Sequence, residues 1–178
     1  ELGSGDQLQA DDEIDSRFVK TTVDLTASLD WTTSLIRFRN ETVEPNAGDN
    51  GSRPGEQNPL VNKDVTNDTL QSRLEYDPET PWIDLSLVGY NTDNEVTEDE
   101  LAAPRVVGRQ VETHGLRLDN QSRFALGERH NLTLSYGGEY YKDEQEGFDS
   151  ASPDNQRGGV PDASTRYVGA YAQGELEL

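Results

Sequence analysis

Apolar and polar residues alternate with a period of two along most of this chain, the spacing of a half-buried strand and not of a helix. From about Ser16 to Ala27, Val19, Val23, Leu25 and Ala27 share one face, with Lys20, Thr22 and Asp24 on the other. A second strand is predicted over about 32–43, with Ile36 and Phe38 opposite Arg37, Arg39 and Glu41. A third, over about 66–76, sets Leu70, Leu74 and Tyr76 against Gln71, Arg73 and Glu75. In a fourth, over about 82–91, Ile83, Leu85 and Leu87 alternate with Asp84 and Ser86. A fifth, over about 111–126, carries Leu116 and Leu118 against Arg117, Asp119, Gln121 and Arg123. A sixth, over about 130–142, sets Leu132, Leu134, Tyr136 and Tyr140 against Thr133, Ser135 and Glu139, and the last covers about 165–178. Only the acidic stretch Thr97–Ala103 has spacing compatible with a helical turn. The expected fold is all-β: an antiparallel up-and-down meander of about seven long strands.

The connections carry as much information as the strands. Short turns centre on Asp30, Glu79 and Glu128, 49 residues apart. Between them lie long polar stretches, about 44–63, 92–108 and 143–163. All short turns then fall at one end of the sheet and all long loops at the other, the arrangement of outer-membrane barrels. Tilted strands of about 9–11 residues cross a bilayer, a length these segments reach. The leucine-bearing faces would meet lipid, and Arg37, Arg39, Arg73, Arg117 and Arg123 would line a wet lumen. Trp31, Tyr76, Trp82 and Phe124 gather near the short turns, as an interfacial girdle requires. Trp82 has the parity of Asp84 and Ser86, so the strand end or a bulge must reorient it. Residues 1–13 read as an acidic loop or tail and 14–178 as barrel segment. The alternative on pattern alone is a soluble acidic β-sandwich that binds another molecule.

Charge and composition narrow this further. Over 178 residues, 35 Asp+Glu against 15 Lys+Arg leave a net charge of −20, which argues against nucleic acid held by its phosphates. Only 31% of residues are hydrophobic, which with this charge is the usual mark of disorder. The acids, however, gather between the alternating segments: residues 1–15 hold six acids and no base, and 91–100 five acids and no base. Ordered strands joined by solvated acidic loops, around a polar lumen, reconcile the two. With no cysteine there is no disulfide framework and no thiolate metal site. No initiator Met and no signal-peptide pattern precede the first strand, so Glu1 reads as internal and the chain as a piece of something longer. Seven strands do not close an even-numbered barrel, so an open curved sheet with two unpaired edges is expected.

The stretch Arg109–Tyr141 resembles barrel strands of TonB-dependent outer-membrane receptors, most of all the haem/haemoglobin receptor group. The resemblance rests on Thr113-His114-Gly115-Leu116, Asn120, Phe124, His130, Leu132 and Tyr136-Gly137-Gly138-Glu139-Tyr140. It is supported by Gly169-Ala170-Tyr171-Ala172-Gln173 downstream and by Tyr76-Asp77-Pro78 with Ile83-Asp84-Leu85 upstream. It implies a 22-stranded barrel in the bacterial outer membrane, of which this chain supplies about seven strands from the middle. It also implies a plug domain outside this chain through which TonB acts. The transported ligand would be haem, free or from a haem protein; a siderophore or another nutrient is the alternative. The FRAP and NPNL boxes that haem receptors tend to carry do not occur, and Asn58-Pro59-Leu60 is only a partial echo.

No catalytic motif is present: there is no GxSxG, no HExxH and no phosphate loop, and no enzyme activity or intrinsic cofactor is expected. His130 sits beside a short turn, and His114 shares parity with Leu116, which places it on the lipid side. Calcium could in principle be held by Asp93, Glu95, Glu98, Asp99 and Glu100 or by Asp143, Glu144 and Glu146, but without EF-hand spacing these read as solvated loops and no metal site is assigned. The lumen arginines Arg37, Arg39, Arg73, Arg117 and Arg123 are the candidate ligand-binding residues. Each could meet an anionic group such as a haem propionate or a siderophore carboxylate, or pair with Glu41, Glu75, Asp119 or Glu139.

Overall fold

The computed structural model describes residues 12–45, 60–102, 104–127, 129–152 and 161–177. They form seven strands: β1 (Asp12–Thr26), β2 (Leu29–Pro45), β3 (Leu60–Thr80), β4 (Ile83–Glu100), β5 (Val106–Ala125), β6 (Asn131–Asp149) and β7 (Ala163–Glu177). All seven join one antiparallel sheet in chain order. β1 pairs only with β2 and β7 only with β6, so the described sheet is an open wall with two edges. A sandwich needs a second sheet, and among the described residues there is none.

The strands outrun the apolar alternation that predicts them. β4 continues through Glu100, so the acidic stretch expected as loop from Thr92 is ladder, and Thr97–Glu100 is strand where a helical turn was conceivable. β6 likewise runs to Asp149. Asp12 and Glu13 already belong to β1, while residues 1–11 lie outside the described residues. Leu29 and Asp30 belong to β2, which moves the first short turn to Ala27–Ser28. The third short turn holds Gly127 at φ 92, and Glu128 lies outside the described residues. At the second, Glu79 takes φ 60 within the register shift between Tyr76 and Thr80.

Register fixes which side chains share a face, because directly paired residues in an antiparallel ladder point the same way. Trp31, Leu74, Leu87, Leu118 and Gly138 lie on one such row. Thr32, Arg73, Val88, Arg117 and Glu139 form the adjacent row on the opposite face. On the leucine face, every position from the short turns up to Thr21, Thr33, Ser72, Gly89, Leu116, Tyr140 and Val168 is uncharged. On the other face the same rows carry Asp24, Asp30, Arg73, Glu75, Arg117, Asp119, Arg123 and Glu139.

This belt has no protein over it. Leu116 is 50% exposed, Leu118 45% and Val168 79%. Among the described residues the buried hydrophobics are Val61 and Val107, at the ends of β3 and β5 away from the short turns. A single sheet with its leucines outward cannot be stabilised by a dry core. It fits a solvent that is itself apolar on that side, with every backbone group paired inside the ladder. Each short turn sits about three residues further along the register than the one before it, roughly 10 Å along the strands for roughly 10 Å across two of them. If the turns share one level, the strands tilt by about 45°, the value for a membrane barrel wall.

Aromatic residues mark the lower rim of the belt. The Trp82 ring meets Phe124 edge-on with centroids 4.7 Å apart. Trp82 lies in the turn before β4, which frees it from strand parity and accounts for its misfit with Asp84 and Ser86. Its carbonyl accepts from Asn120 Nδ2 (3.1 Å) and Ser122 Oγ (2.7 Å), which fastens the second short turn onto β5.

Candidate functional site

The face opposite the leucines carries a hollow of about 600 Å³ over β3, β4, β5 and β6. Its floor follows from one residue without a side chain. Gly115 on β5 pairs with Tyr90 on β4, and the Tyr90 ring lies directly over it, where a Cβ would overlap the ring. The ring thus reaches across β5, and its hydroxyl donates to Glu139 on β6 at 3.3 Å. Large aromatics laid over strand glycines are a recognised way to fill a curved sheet.

The charged groups of the hollow are matched. Arg117 Nε donates to Asp119 Oδ2 at 2.7 Å, and the Tyr171 hydroxyl donates to Asp119 Oδ1 at 2.6 Å. Arg73 meets Glu75 at a looser 3.5 Å. Lower on the same face, Arg123 meets Asp84 at 2.6 Å. These guanidiniums are about half exposed, so each pair is worth at most about 1 kcal/mol and can open toward a competing carboxylate.

The structure therefore brings together Arg73 and Arg117, with Arg123 nearer the turns, on the face predicted for them. It does not do so for Arg37 and Arg39. Both lie on the leucine face, above the apolar belt: Leu35 pairs with Leu70, Arg37 with Asp68. Arg37 makes a two-point contact with Asp68 (2.8 and 2.6 Å), and Arg39 reaches Asp64 at 3.4 Å. The lumen placement of these two is thus corrected. β2 carries apolar residues on both parities, Trp31 and Leu35 on one and Ile36 and Phe38 on the other, so alternation within that strand is ambiguous and only its pairing with β3 decides.

The calcium candidates disperse for the same reason. Alternation sends Asp93, Glu95 and Asp99 to one face of β4 and Glu98 and Glu100 to the other, and separates Asp143 from Glu144 and Glu146 on β6. Among the described residues no group of three or more His, Asp or Glu converges on a metal position. His114 is on the leucine face, with its Nε2 3.2 Å from Glu112 and its Nδ1 2.7 Å from Asn91 Nδ2.

One feature of the loop end is not legible in strand texture. Arg105, in the connection between β4 and β5, donates to both oxygens of Asp149 (3.1 and 2.8 Å) and to Glu100 (3.1 Å). The Asp149 hydrogen bonds hold the Arg105 guanidinium even further above neutrality than usual. This clasp ties the upper ends of β4, β5 and β6 together above the belt.

No protein-family profile matches the chain. A hemin receptor of Yersinia pestis is 24% identical over 169 residues, which is 94% of this chain and 24% of that protein. The chain thus spans about a quarter of the length of the curated relative it matches. Among solved structures, a double mutant of the Serratia marcescens hemophore receptor HasR, in complex with its hemophore HasA and heme, superposes with a TM-score of 0.56 at 16% identity. That match covers 92% of this chain and 32% of HasR. Both bear out the resemblance to haem-receptor barrel strands, and the second shows that the sheet has the fold of part of such a receptor.

Proposed function

We propose that this chain is a stretch of barrel wall, residues 14–178 with an acidic segment before it, from a TonB-dependent receptor of the bacterial outer membrane. The receptor takes up haem, or haem delivered by a haem protein. The carrying observation is the division of one uncovered sheet into a charge-free belt and an ion-paired face, in chemistry a lipid side and a water side. The similarity to a hemin receptor and to HasR supports haem as cargo. Energy from TonB reaches the receptor through a plug domain outside this chain. The wall is a receptor surface and not an enzyme, and haem is cargo and not a resident cofactor.

Arg73 and Arg117, with Arg123 below them, are the residues proposed to face the ligand path. Their half-exposed pairs, loosest at Arg73–Glu75, offer exchangeable partners to a propionate passing the wall. Two measurements test the reading on the complete receptor. Cell fractionation should find it in the outer membrane, released only by detergent. Growth on haemin as sole iron source should slow with Arg117→Ala while the folded amount is unchanged. Recovery from the soluble fraction without detergent would refute the barrel. Unchanged growth with both Arg73→Ala and Arg117→Ala would remove these arginines from the path.

A further inference from the structure

The upper rim of the leucine face has a charge order that the chain's overall acidity does not lead one to expect. Directly above the apolar row Leu116, Tyr140 and Val168 lies a row of His114, Lys142 and Arg166, neighbours across β5, β6 and β7. No acid stands in that row; its fourth member, on β4, is Asn91. Lys142 and Arg166 are directly paired, and like charges placed opposite each other in a ladder are destabilising unless something lies between them. The acids of this region stand one row further from the belt. Glu112 meets His114 at 3.2 Å and Glu144 meets Lys142 at 2.5 Å, while the corresponding position on β7 is Ser164. Arg166 is exposed and makes no direct hydrogen bond among the described residues, though it shares the field of Glu144 with Lys142. The double row is thus ordered: its two permanent cations, Lys142 and Arg166, stand on the side of the belt, and the two carboxylates that match them in number, Glu112 and Glu144, on the side away from it.

We infer that His114, Lys142 and Arg166 form a docking site for a phosphate-bearing lipid headgroup at the outer edge of the bilayer. The inference rests on the barrel reading. A lipid whose acyl chains lie on Leu116, Tyr140 and Val168 would bring its phosphate to this row, and no other anion is held there by an apolar tail. Long basic side chains at a membrane edge keep their stems on the apolar surface and place the charge among headgroups, where clusters of them select anionic lipids.

The test uses the complete receptor in a non-ionic detergent, with dioleoylphosphatidic acid as probe and dioleoylglycerol as its phosphate-free match, and bound lipid counted by native mass spectrometry. The wild type should prefer the phosphatidic acid, and the double variant Lys142→Gln, Arg166→Gln should lose about tenfold or more of that preference. Lys20→Gln, on the opposite face, should leave it unchanged, and Lys142→Arg with Arg166→Lys should retain it. Inorganic phosphate at equal concentration should not compete. Full preference in the double variant, or displacement by inorganic phosphate, would overturn the site. Heat-modifiable migration on gels verifies folding, and Arg166→Gln alone, expected to lose part of the preference, replaces any variant that does not fold. A receptor that stays monomeric in buffer without detergent would instead refute the barrel itself.

Discussion

Replacing Leu87 by arginine puts a charge in the middle of the uncharged belt, between Leu74 and Leu118 on the neighbouring strands. Near the bilayer midplane such a charge costs a barrel about 2–4 kcal/mol. At about 1.4 kcal/mol per decade, that is roughly a thirtyfold to thousandfold loss in the folding equilibrium. The adjacent residue, Ser86, is at nearly the same depth but on the other face, where it pairs with Glu75 on one side and Asp119 on the other. Arginine at 86 would find two carboxylates in a wet environment and should change stability by less than about 1 kcal/mol. The two variants share charge, volume and strand position, so intrinsic strand preference nearly cancels between them. Urea-dependent folding of the complete receptor into phosphatidylcholine vesicles, followed by heat-modifiable migration, gives both free energies. If Leu87→Arg costs no more than Ser86→Arg, the leucines do not face lipid and the assignment of the two faces is wrong.

Gly115→Val should drive the Tyr90 ring off β5, break its bond to Glu139 and cost about 1–3 kcal/mol, read by denaturant unfolding. Trp82→Ala removes the edge-on contact with Phe124, about 1 kcal/mol beyond the lost burial, and should also diminish the near-ultraviolet dichroism. Arg105→Ala takes the guanidinium from the nearly buried Asp149 and should cost about 1–3 kcal/mol, with faster amide exchange confined to the upper ends of β4 to β6. Because the Arg105 pKa is raised, its share of that stability is present below the ordinary arginine range and lost only above it, so the Arg105→Ala deficit should be the same from pH 7 to pH 9.

Much of this architecture could be read from residue order alone. Seven strands and their antiparallel sequence follow from period-two patterning and turn chemistry, which are local properties of the chain, whereas the expected alternation of short and long connections fails between β4 and β5, where residues 101–105 are no longer a link than 126–130. The apolar faces of β1, β3, β4, β5 and β6 also follow, because the leucines of each strand, joined in β1 by Val19 and Val23, hold one parity. Two things needed the folded sheet. In β2 both parities are apolar, so only pairing to Leu70 and Asp68 shows that Leu35 and Arg37 share a face and that Arg37 and Arg39 leave the lumen. The strands also continue far past the apolar alternation of the belt. A ladder whose register the belt has set goes on pairing backbone groups whatever side chains they carry, as Asp93–Glu100 opposite Val61–Asp68 shows. The same cross-strand pairing creates what no single segment contains: Tyr90 over Gly115, Arg105 between Glu100 and Asp149, and Lys142 beside Arg166 at the rim. Sequence periodicity records which residues alternate; only hydrogen-bonded register decides which of them meet, because contacts in a sheet run across strands.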